Sequence, residues 1–85
     1  MKRIRKNDTP EVVLQLGLKI KGIIDDKDLK QREVAHDAGM DVENLRKYMK
    51  GLQEMKISTL IKISEALGMT ASELLTDLPE TKKEG

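Results

Sequence analysis

The chain of 85 residues has no cysteine, no tryptophan and no phenylalanine, and only one tyrosine, one histidine and two prolines. Without thiols there is no disulfide and no thiolate-held metal, and a reducing, cytoplasmic setting is expected. With Tyr48 as the single aromatic, the core must be built from Leu, Ile, Val, Met and Ala. Such a core suits interlocking helices better than a sheet that relies on aromatic cross-strand pairs. No apolar run is long enough to span a membrane, and the basic start MKRIRK leads into NDTPE, not into the apolar segment of a secretory signal. His36 has no second histidine, cysteine or nucleophile pattern to work with, so no enzyme, cofactor or small-molecule site is expected. The acidic run Asp25, Asp26 and Asp28 lacks the glycine bend and the closing Glu of a calcium loop, so no metal site is expected either.

What remains is a chain that is 38% hydrophobic and 36% charged, with 16 Lys and Arg against 15 Asp and Glu. A net charge of +1 would not by itself draw the molecule to a polyanion, so any nucleic-acid function must rest on local charge placement.

Helical periodicity recurs along the sequence. Asp8, Thr9, Pro10 and Glu11 form a helix start, and Val13, Leu16, Gly17, Ile20, Ile23 and Ile24 then fall on one face, predicting a helix over 10–24. Leu29 returns the chain to the core. A second helix over 31–37 turns Val34, Ala35 and Ala38 inward and is followed by Gly39, where a helix would close in the left-handed conformation. Asp41 is a natural N-cap for a third helix over 42–49, with Leu45, Tyr48, Met49 and Leu52 as its apolar stripe. Its opposite side carries Glu43, Arg46, Lys47 and Lys50 at the same spacing. Glu43 and Lys47, four apart, can also form a surface ion pair.

Gly51 stops that helix. Ile57, Leu60, Ile61, Ser64 and Leu67 predict a fourth helix over 57–67, closed by Gly68. Thr70 and Glu73 make a capping box for a fifth over 71–78, which Pro79 ends. The expected organisation is therefore a flexible basic arm (1–8), one all-α, compact five-helix domain (9–78) and a frayed tail (79–85). Helices as short as the second and third are marginal alone and must be held by the others. Two helices joined by a tight glycine turn make a helix-turn-helix unit, whose later helix can enter the DNA major groove.

Leu29, Gln31, Val34, Ala35, Gly39, Met40, Leu45, Gly51 and the run TLIKISEALGMTASELL from Thr59 to Leu75 resemble the phage repressor and Cro type of helix-turn-helix domain, also called the XRE family. The resemblance covers about Leu16 to Leu75. It implies a lambda-repressor-like fold and a function on double-stranded DNA. By this resemblance Gln31 holds a phosphate and buttresses the recognition helix, whereas by its residue type alone it can be a simple helix-start residue. The positions matching the family's base readers are Val42, Glu43, Asn44, Arg46 and Lys47. Arg or Lys can donate to guanine, Asn can pair with adenine, Val can touch a thymine methyl, and Glu can only accept, as from a cytosine amine.

Lys30, Arg32, Lys50 and Lys56 flank the unit and are expected to neutralise phosphates, with Lys2, Arg3, Arg5 and Lys6 as an arm along a groove. The chain departs from the family at Met49, where an acid is common, and at Met55 or Lys56, where a proline is common. Tyr48 replaces an aliphatic residue and reads as core filler. Leu74, Leu75 and Leu78 form a dimer seam or close the core. The expected function is a sequence-specific regulator, a repressor, binding a pseudo-palindromic operator as a homodimer. The alternatives are an antitoxin that regulates its own promoter and a protein-interaction module that kept the fold without DNA binding.

Overall fold

The computed structural model describes residues 10–78. The expected arm with Lys2, Arg3, Arg5 and Lys6, the helix-starting Asp8 and Thr9, and the expected tail lie outside the described residues. Five α-helices and no strand are found among those described: α1 (Glu11–Asp26), α2 (Gln31–Asp37), α3 (Val42–Met49), α4 (Ile57–Ala66) and α5 (Ala71–Leu75). The fold is all-α.

Two ends differ from expectation. Pro10 occupies the N-cap of α1, not its first turn, and the helix runs two residues past position 24. It closes when Asp28 takes φ 57° and Leu29 N–H donates to the Ile24 carbonyl at 2.8 Å. An aspartate thus fills the left-handed position that glycine fills after α2, α3 and α4. At the other end α5 stops at Leu75, not at 78, because Thr76 is extended and Asp77 has φ 70°. Its start is the expected capping box: Glu73 N–H donates to Thr70 Oγ1 at 3.0 Å and Thr70 N–H donates to Glu73 Oε1 at 2.9 Å.

The core joins Leu16, Ile20 and Ile24 of α1 to Val34 and Ala35 of α2, Leu45 and Met49 of α3, Ile63 and Leu67 around α4, and Leu74 of α5. In α4 the inward face is built on Ile63, Ser64 and Leu67, with Leu60 packed against it. Ile57, 74% exposed, and Ile61 fall on its outer flank. Both were expected inside. The apolar positions of α4 form a stripe wider than the buried face, and periodicity alone does not find its centre. Leu52 and Leu29 are likewise exposed, not on the core stripe. Ser64 is buried, and its hydroxyl donates to the Ile61 carbonyl at 2.8 Å.

α1 packs on α3 and α5, and α2 packs on α3 and α4. The α1–α3 contact depends on Gly17: a Cβ there would lie 2.6 Å from the Met49 carbonyl oxygen and closer still to that of Tyr48. Lys19 of α1 and Lys27 at its C-cap fasten the later helices. Lys27 Nζ donates to the Leu67 carbonyl at 2.9 Å, and Lys19 Nζ donates to those of Glu73 and Thr76. These carbonyls lie at the C-terminal ends of α4 and α5, where the last turn leaves carbonyls short of partners; that of Glu73 also accepts from Thr76 N–H at 3.3 Å.

Candidate nucleic-acid interface

The direction of α3 is set by the turn before it. Gly39 N–H donates to the His36 carbonyl at 3.0 Å and Met40 N–H to that of Ala35 at 2.9 Å, closing α2 in a paired-bond motif that needs φ near +73° at Gly39. Two residues on, Asp41 stands at the N-cap of α3 with an extended backbone, although its side chain makes no capping hydrogen bond. The helix then leaves the turn with Leu45 and Met49 buried and Tyr48 packed against the core. Tyr48 is filler there, as its place on the apolar stripe implied.

The opposite face of α3 is open. Glu43, Asn44 and Lys47 are exposed, as is Lys50 at the C-cap. Val42 is half-buried against the core and offers only part of its side chain outward. Arg46, expected to reach a base, is held at two points: its Nε donates to Gln31 Oε1 at 3.2 Å and its Nη1 to Glu43 Oε2 at 3.1 Å. The ion pair of Glu43 is therefore with Arg46, three residues on, and not with Lys47.

Gln31, half-buried as the first residue of α2, is linked to α3 through this bond. Lys30 and Arg32 beside it are exposed, and Lys56 is exposed at the N-cap of α4. Gln31 and Lys50 share a cleft of about 280 Å³ with Lys21, Arg46 and Met49. Lys30, Arg32 and Lys56 do not line it. Lys21 was missed from the sequence, where it is one more lysine on α1. Only the angle at which α1 crosses α3 brings it to the cleft, and no local signal carries that angle.

Leu74 is fully buried and closes the core, so it cannot form a dimer seam; Leu75 is exposed and Leu78 half-buried. Among the described residues no group of three or more His, Cys, Asp or Glu side chains is placed to hold a metal ion. No helix there is long and apolar enough to cross a membrane.

The model of the Cro/C1-type HTH DNA-binding domain family matches residues 19–80. Among solved structures, the chain is similar to the restriction-modification controller protein C.AhdI from Aeromonas hydrophila, with TM-score 0.70, 21% identity, and coverage of 73% of this chain and 94% of that one. It is also similar to the clp gene regulator ClgR from C. glutamicum, with TM-score 0.73, 24% identity, and coverage of 78% and 86%. A third likeness is to the hypothetical transcription factor NHTF from Neisseria, with TM-score 0.66, 23% identity, and coverage of 88% and 83%. At these identities the likenesses show a shared fold. No curated protein matches the sequence.

Proposed function

Since the chain belongs to the Cro/C1-type helix-turn-helix DNA-binding family, we propose that it is a sequence-specific transcriptional regulator, a repressor that inserts α3 into the major groove. The observation that carries this reading is the two-sided character of α3. Leu45 and Met49 fix it from beneath, while Glu43, Asn44 and Lys47 stand exposed on a rigid element that follows a defined turn. A side chain held by such a frame loses little further freedom on contact, which suits discrimination between bases. Asn44 and Lys47 donate to base edges, Glu43 accepts from a cytosine amine, and the outward part of Val42 meets a thymine methyl. Lys30, Arg32, Lys50 and Lys56 neutralise phosphates, with Gln31 donating to another.

The protein works as a homodimer on a pseudo-palindromic operator, with Leu75 and Leu78 in the seam. Two copies related by a two-fold axis present two copies of α3 about one helical turn of DNA apart. The test is selection of bound duplexes from a random pool, followed by titration of a selected duplex across salt. An inverted repeat and a steep fall of affinity with salt are expected. A flat, undetectable response to both random and selected duplex would leave a protein-interaction module as the better account.

A further inference from the structure

α1 carries two leucines that belong neither to the core nor to the outward face of α3. Leu14 is half-buried and Leu18 is 58% exposed. They stand four residues apart on one face of the helix, between Glu11 and Lys21 at the same helical spacing. Together with Met49 and Lys50 at the end of α3 they line a groove of about 440 Å³. Its walls are held by backbone: a Cβ on Gly51, just past α3, would lie 3.2 Å from the Leu14 Cα. The middle of the groove is apolar. Glu11 stands at one end, and Lys21 and Lys50 stand at the other.

An exposed apolar groove is a surface made to be covered, and the sequence limits what this chain can lay on it. Beyond residues 10–78 it has MKRIRKNDT before Pro10 and PETKKEG after Leu78. The second stretch has no apolar side chain other than Pro79, whereas the first has Met1 and Ile4. Ile4 lies six residues before Pro10, a span of up to about 20 Å when extended. Leu18 lies eight residues after Pro10, only about 12 Å along a helix. Ile4 can therefore reach both leucines with chain to spare.

Charge selects the same placement. Arg5 and Lys6 fall between Ile4 and Pro10, where they pass the Glu11 carboxylate. Were the segment pushed further along the groove, Lys2 and Arg3 would meet the ammonium groups of Lys21 and Lys50. Attraction at one end and repulsion at the other set Ile4 beside Leu14 and Leu18.

We propose that segment 1–9 of the same chain covers this groove, with Ile4 seated against Leu14 and Leu18 and Arg5 facing Glu11. The segment is then a strap that ties α1 to the end of α3 from outside, as the close approach of Gly17 to Met49 ties them from within. The strap forms without DNA, so it goes beyond the reading of the chain as a regulator and stands or falls separately from it.

The test uses the full chain, free in solution, with isoleucine and leucine methyl groups labelled for NMR. Cross-peaks from the Ile4 methyls to those of Leu14 and Leu18 are expected, unchanged on dilution. In thermal melts Ile4→Ser should lower the melting temperature by about 4 °C, and the same change made in a Leu18→Ser chain should have no further effect. Absence of the cross-peaks overturns the proposal and leaves the groove to a separate partner. So do cross-peaks that arise only between differently labelled chains, which would give the groove to a second copy. An Ile4→Ser shift of equal size with and without Leu18 overturns it as well. The cross-peaks decide the matter on the unsubstituted chain, whatever the Leu18→Ser variant does to α1.

Discussion

Gly17 and Met49 meet backbone to backbone: a Cβ on Gly17 would stand 2.6 Å from the Met49 carbonyl oxygen, so the end of α3 rests directly on α1. Gly17→Ala should therefore destabilise the fold by about 1–3 kcal/mol through overpacking, in spite of the gain of up to about 1 kcal/mol that alanine brings to a helix interior. The urea midpoint reads this. An unchanged or higher midpoint would show that the two helices can move apart without loss.

Lys47 and Lys50 are exposed on the same side of α3 but at different places, one within the helix and one at its C-cap. Lys47→Ala should change which operator bases are tolerated, whereas Lys50→Ala should weaken all duplexes about equally and lower the salt slope by about one. Binding profiles over singly substituted operators separate the two. A uniform loss from both variants would remove Lys47 from the base readers.

The capping box at Thr70 satisfies two backbone groups at the start of α5. Thr70→Ala should cost about 1 kcal/mol, which for a domain of this size lowers the melting temperature by about 4–8 °C. A melt monitored by circular dichroism reads it. No change would mean that α5 contributes nothing to the cooperative unit, despite the burial of Leu74.

Leu75 is 44% exposed. If it lies in the seam between two copies, Leu75→Lys should turn the dimer into a monomer in sedimentation and weaken operator binding far more than half-site binding. A variant that sediments as wild type places the seam elsewhere.

Much of this was legible in the sequence because the informative features are local. Glycine marks the closing turn of α2, α3 and α4, and the Thr70 to Glu73 spacing marks the start of α5. The features that escaped depend on tertiary arrangement. Asp28 closes α1 in the conformation usual for glycine, yet by residue type it belongs to any polar loop. Ile57 and Ile61 match helical periodicity as well as Ile63 does, and only the placement of α4 against the core decides which are covered. The tethering of Arg46 to Gln31 joins residues 15 positions apart across two helices, a distance at which charge pattern within one helix carries no information.

Lys19 of α1 and Lys27 at its C-cap, which hold the ends of α5 and α4, set an order of events during synthesis. Their partners are 40 to 57 residues further along, so α1, α2 and α3 leave the ribosome before the carbonyls that Lys19 and Lys27 grip have emerged. The first three helices thus wait for the contacts that fasten them. A stalled nascent chain ending at residue 66 is expected to be cut readily by protease, and one with α5 beyond the exit tunnel to resist. Emergence of α5, not of α3, would then mark the point at which the nascent domain becomes resistant.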